Sequence, residues 1–182
     1  LREKAVQAAG GGAAFMPGWC SGAPGVGLAR IAMLTAGADG GNAGKSAQTG
    51  TGVEAGTEAE AAASGEDGER NLRRRFMRDV ENAVEFARTC TLEMNDHVCC
   101  GNAGKIDFLV EASLALGRPD LLEEARRKAG AVIARKRRNG HYLLHGGDGG
   151  AWFNPSFFQG ISGIGYTLLR CAAPAEIQSV LR

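Results

Sequence analysis

Between positions 70 and 90, Leu72, Phe76, Val80, Ala83, Val84 and Ala87 recur at spacings of three and four. That spacing puts them on one side of a 3.6-residue helix and the charged residues on the other, so an amphipathic helix is expected over 70–90. A second stripe, Leu121, Leu122, Ala125, Ala129, Val132 and Ile133, follows Pro119. Proline suits a first helical turn, where its missing N–H would find no partner anyway. The second helix is therefore expected over 119–138, with its arginines and lysines outward. Three further stretches, 26–34, 104–116 and 162–171, are apolar with little polar face and read as short buried helices. A short hairpin around 141–153 is the only strand candidate. The pattern predicts an all-α chain in which apolar and amphipathic helices alternate.

Segment 35–68 interrupts this pattern, with Val53 as its only large aliphatic residue. Such a stretch cannot bury enough apolar surface to offset the entropy of ordering it, and it is expected to be a disordered Gly/Ala-rich insertion. Its GGNAGKS run, at 40–46, imitates a phosphate-binding loop. That motif requires glycine where Asp39 stands, with an apolar strand before it, and neither is present.

Glycine makes up 28 of the 182 residues, about twice the usual share of roughly 7%. Its placement is regular. Gly22, Gly25 and Gly27, then Gly101 and Gly104, then Gly160, Gly163 and Gly165 each introduce an apolar helix, at intervals of 79 and 59 residues. Setting aside the 34 residues of 35–68 reduces the first interval to 45. A repeating unit of glycine turn, buried helix and amphipathic helix is the signature of a solenoid or a closed α/α toroid. The glycines allow helix starts to approach where a Cβ would collide.

Charge removes several function classes. With 21 basic and 20 acidic residues the formal net charge is +1, and no basic stripe marks a nucleic-acid partner. No apolar run approaches the roughly 20 residues of a membrane span, and no signal-peptide pattern is present, so no membrane partner is expected. Five unevenly placed cysteines do not make a disulfide framework, which favours a reducing, cytoplasmic setting. Cys90 and Cys171 fall in helix stripes and read as core. Cys20, Cys99 and Cys100 instead stand immediately before glycine turns. In a ring these turns converge, helix N-termini favour thiolates, and three thiolates around one point suit zinc with an open fourth position. Ordinary burial as small hydrophobes fits the same spacing, which alone does not separate the two readings. Among the histidines, His97 shares a loop with Cys100 and is a candidate to approach a metal or a bound peptide. His141 and His145 lie in the connection before the last turn, and all three read first as solvated loop residues.

The segments GWCSGAPGVGLARIAM, CCGNAG followed by FLVEASLALGRPDLLEEA, and FFQGISGIGYTLLRCAAPAEIQSVL occur in this order. Together they resemble the C-terminal part of lanthionine synthetase C-like (LanC-like) cyclases, and look most like the cyclase domain of the bifunctional class II (LanM) enzymes. Trp19 and Tyr166 match the family pattern and read as packing residues. The resemblance implies a partial α/α toroid, built of helical hairpin repeats with Gly-rich inner turns, over 1–182 with 35–68 inserted. It implies zinc held by Cys20, Cys99 and Cys100, with Cys99-Cys100-Gly101 standing where the family commonly has Cys-His-Gly. Replacing imidazole by thiolate would take the formal charge of the site from neutral to −1, making a bound sulfur more electron-rich.

The activity so implied is addition of a peptide cysteine thiolate to dehydroalanine or dehydrobutyrine, closing a lanthionine thioether. The enolate formed must then be protonated. In the family a His and an Asp of earlier repeats do this work; in this chain His97 is the local candidate. The implied partners are a precursor peptide, the remainder of the toroid and a dehydratase domain. A non-catalytic zinc scaffold that binds thiols or peptides is the alternative. A glycan-processing toroid would require paired carboxylates at the glycine turns, and none occur there. Without the rest of a ring, 23–33 and 161–169 are expected to expose apolar surface and promote association.

Overall fold

The computed structural model describes residues 18–39, 66–92, 95–144 and 153–181. They form five helices: α1 (Ala23–Asp39), α2 (Glu66–Thr89), α3 (Asn102–Leu116), α4 (Pro119–Asn139) and α5 (Ile161–Ala172). No strand occurs among the described residues, and most of the expected hairpin over 141–153 lies outside them.

The amphipathic pair behaves as its stripes require. In α2 the side chains of Val80, Ala83, Val84 and Ala87 are buried, and in α4 those of Leu121, Ala125, Ala129 and Val132. Pro119 opens α4, and Gly140, at a φ of 82°, closes it through an N–H to the Lys136 carbonyl. Gly117 ends α3 in the left-handed conformation, φ 63°, which glycine adopts without a Cβ penalty. From Asn102 to Ser113, α3 is buried on every side.

The layers follow from that burial. α1 packs on α2 and α3 on α4, while α1 and α5 flank α3. The inner layer is thus α1–α3–α5 and the outer layer α2 and α4, the arrangement of a partial α/α toroid. Leu28, Ile31, Phe108, Leu109, Leu121 and Ile164 join the layers into one core.

Of the segment expected to be a disordered insertion, only the ends are described, and both are helical. Helix α1 continues through Asp39 and α2 begins at Glu66, leaving only 40–65 outside the described residues. Neither extension needs large aliphatics. α1 and α2 already support each other as a packed hairpin, and the Thr35 hydroxyl donates back to the Ile31 and Ala32 carbonyls.

The glycine repeat has a geometric cause. A Cβ on Gly25 would stand 1.9 Å from the Trp19 carbonyl oxygen, one on Gly104 2.2 Å from that of Val98, and one on Gly163 2.0 Å from that of Phe157. In each case the obstructing carbonyl lies six residues earlier, so each turn folds back onto the start of its own helix. The turns also join one another: Cys20 N–H donates to the Cys99 carbonyl at 3.4 Å, and Cys99 N–H to the Phe158 carbonyl at 2.9 Å.

Between α3 and α5 the core is charged. Arg170 donates to Asp107 and Glu111, both at 2.7 Å, with all three side chains buried. Arg170 Nε also reaches the Ile177 carbonyl at 3.0 Å, and Ser179 Oγ donates to Asp107 at 3.2 Å, which folds the residues after α5 back onto the bundle. The expected apolar exposure is present at Val26 and Met33 of α1 and at Leu169 of α5. No helix among the described residues is long and apolar enough to cross a membrane.

Candidate metal centre

The second glycine turn is held by contacts that involve no sulfur. Asp96 is buried and accepts from Leu143 N–H (2.8 Å), Asn102 Nδ2 (2.9 Å) and the Arg135 guanidinium. Asn102 N–H closes on the Asn95 carbonyl at 2.7 Å and Ala103 N–H on that of Asp96 at 3.1 Å. Gly101 is required because a Cβ there would stand 2.3 Å from both the Asn95 and His97 carbonyl oxygens. Cys99 and Cys100 are thereby held at the mouth of α3.

The first turn is docked onto the second. Trp19 N–H donates to the Cys99 carbonyl at 2.8 Å, and the Trp19 ring stacks on Phe158 at 5.3 Å between centroids. This brings Cys20 Sγ to 3.4 Å from Cys100 Sγ, with Cys99 Sγ 3.5 Å from the latter. All three sulfurs lie within 4.8 Å of one another, although their residues come from turns about 80 positions apart. Such a cluster can hold a metal ion. The sequence expectation that the three cysteines converge agrees with this geometry.

The thiols are not equivalent. Cys20 is exposed, and its pKa is lowered, chiefly by a hydrogen bond from Cys99 and further by Cys100. Burial, followed by the hydrogen bond with Cys20, pushes Cys99 up to about 12. Burial raises Cys100 too. Cys20 is thus the first of the three to ionise, and its partners keep their protons unless a cation stabilises the thiolates.

The model of the family described as lanthionine synthetase C-like protein matches residues 6–182. The chain belongs to this family. No curated protein and no solved structure matches it.

In this lanthionine synthetase C-like chain, His97 is not the solvated loop residue expected from its Gly-rich surroundings. It is fully buried, and its Nδ1 accepts the Cys100 N–H at 3.3 Å. It fixes the backbone of Cys100, and its ring does not face solvent. His141 is half-buried, and His145 lies outside the described residues. Cys171 is buried as core. Cys90 sits just past the end of α2 and is half-buried against Lys105. Sequence reading missed Asp96, Asn102 and Arg135. Asp96 lies in a loop with no spacing that would separate a buried acid from a solvated one, and Asn102 at the start of α3 and Arg135 on the charged stripe of α4 give no sign that they meet it.

Proposed function

We propose that this chain is the metal-bearing part of a lanthionine cyclase, and that Cys20, Cys99 and Cys100 hold zinc. The sulfur cluster carries this reading. In a tetrahedral site with Zn–S bonds of about 2.3 Å, neighbouring sulfurs stand about 3.8 Å apart. The separations of 3.4 and 3.5 Å need only small χ1 adjustments to open to that value. Three protein thiolates would leave one position of a tetrahedral ion free for a further ligand, and Cys20 of the cluster is exposed. Zinc there would supply the Lewis acid that keeps a peptide cysteine as thiolate, ready to add to dehydroalanine or dehydrobutyrine.

The protein side of the reaction follows from the turns. His97 and the Asp96 network hold the Cys99–Cys100 backbone rigid, and the Trp19–Phe158 stack ties the turn of Cys20 to that of α5. With His97 buried, the acid that protonates the enolate comes from the remainder of the toroid, as does cover for Val26, Met33 and Leu169. The substrate is a precursor peptide, supplied with dehydrated residues by a dehydratase. The burial of His97 also favours a second reading, a zinc scaffold that binds thiols without closing a ring. Incubation with a dehydrated, cysteine-bearing peptide separates the two, because only the cyclase consumes the free thiol.

The founding test is zinc stoichiometry on the purified chain, on Cys20→Ala and on Cys100→Ala. One zinc per chain, lost in either variant, is the expected result. A chain that takes up no zinc, or variants that retain it fully, would overturn the proposal.

A further inference from the structure

Away from the metal centre, a cysteine is held against a buried amine. Lys105 lies on α3 at 1% exposure, its Nζ 3.4 Å from Cys90 Sγ and 3.4 Å from the Thr91 carbonyl. Burying an amine is costly unless charge or hydrogen bonds compensate. Among the described residues Lys105 has no carboxylate partner; Glu124 pairs with Lys128, and Asp96 with Arg135. Lys128 Nζ meets the Cys90 carbonyl at 3.0 Å, so cations of α3 and α4 both converge on this one residue. Cys90 is half-buried beside the exposed Thr91, so the pair lies near the surface and not deep in the core.

We propose that Cys90 and Lys105 form a covalent modification site at which a hydroperoxide joins Sγ to Nζ. Hydrogen peroxide first transfers one oxygen to sulfur, converting the thiol to a sulfenic acid and leaving water. Sulfenic acids are captured by thiols or by nitrogen nucleophiles. Here the amine already in contact attacks sulfur. The Sγ–Nζ bond forms, the S–O bond breaks, and the departing oxygen leaves as a second water carrying two protons. Overall, one thiol, one amine and one peroxide give one sulfenamide and two waters; sulfur is oxidised by two electrons and the peroxide reduced by two. The link fastens the end of α2 to α3 and so closes the loop that carries Cys99 and Cys100, while using none of the metal-site sulfurs.

The test treats the full, folded chain with hydrogen peroxide and maps its tryptic peptides without reductant. Cys90 and Lys105 share one tryptic peptide, 89–105, so the link should appear as blocked cleavage after Lys105: a single longer peptide, 89–126, lighter by two hydrogens, whose fragmentation shows no backbone breaks between 90 and 105. The same looped peptide carrying one added oxygen would place an S–O–N link between these atoms and would also support the site. Thiol reductant should open the loop and restore cleavage. The link should fall at least tenfold when the chain is unfolded in urea before peroxide, and should vanish in Cys90→Ser. Oxidation of Cys90 with Lys105 still open to trypsin would overturn the proposal. So would a disulfide from Cys90 to another cysteine, a link to Lys128, or linking that survives unfolding. The wild-type map decides the question even if Lys105→Met fails to fold.

Discussion

Cys20, Cys99 and Phe158 hold the same place in three successive turns, each five residues before the glycine that packs on its own turn. On one flank of α3 the neighbouring position is sulfur; on the other it is an aromatic ring stacked on Trp19. The helices that follow differ in the same way. Asp107 of α3 corresponds to Leu28 of α1 by the 79-residue interval. The α1 flank is accordingly apolar, with Gly27 close against the Phe108 ring, whereas the α5 flank holds the Arg170 ion cluster. One repeated backbone therefore carries a thiol cluster able to hold a metal on one side of α3 and a structural lock on the other. The fold fixes where side chains converge, and the residues placed there decide the chemistry.

The largest test of this contrast is Arg170→Met. It leaves Asp107 and Glu111 buried without their shared cation, and breaking a buried pair in this way costs about 3–5 kcal/mol. Urea unfolding should show that loss, while zinc stoichiometry per folded molecule stays unchanged. A loss of zinc at full folded population would mean that the two flanks are not separable.

Glycine substitutions within α5 come next. Gly163→Ala drives a Cβ against the Phe157 carbonyl at 2.0 Å and the Val98 side chain at 2.7 Å, an overpacking cost of about 2–3 kcal/mol. Two residues on, Gly165 has nothing within 4 Å of its would-be Cβ. Gly165→Ala should therefore stabilise by about 0.5–1 kcal/mol through backbone entropy. Paired thermal melts decide this; equal effects would remove the steric account of the repeat.

These two features differ in how far the sequence reveals them. The turn glycines stand at fixed spacing beside helix stripes, so the repeat and the five helices are legible in the residue pattern. The convergence of Cys20 with Cys99 and Cys100 follows only once the repeats are placed in a ring, as the family resemblance implies. The Arg170 cluster is not legible in the pattern. Its members sit in apolar stretches 59 and 63 residues apart, and only the packing of α5 against α3 brings them together. The same holds for Lys105 and Cys90, and for the burial of His97, whose loop composition suggests solvent. Residues 35–39 are illegible for a different reason: they lack the large aliphatics that mark a helix, yet they continue one already anchored by α2.

A smaller effect isolates the aromatic side of the contrast. Phe158 is 46% exposed, so Phe158→Ala removes the stack on Trp19 with only part of a full burial term, about 1 kcal/mol. Chemical denaturation should record that loss, with zinc still bound one per chain. A variant that loses zinc would show the ring to be part of the metal site's support.

The pH dependence of the α5 flank is the finest test. Burial pushes the Asp107 carboxyl above its ordinary value, against the opposing attraction of Arg170. The folded chain then holds this proton more tightly than the unfolded chain does. The associated stability is present below the ordinary carboxylate range and is lost as pH rises through the folded pKa. Asp107→Asn cannot ionise, so wild type should lose ground against this variant as pH rises above the ordinary carboxylate range of about 4, whatever their constant offset. Leu28→Ala on the α1 flank, where no ionisable group holds the equivalent place, should leave the wild-type pH slope intact. Urea unfolding over rising pH measures both differences. A wild type that instead gains on Asp107→Asn with rising pH would show that Arg170 outweighs burial, making the charged flank a stabilising pair rather than a tolerated one.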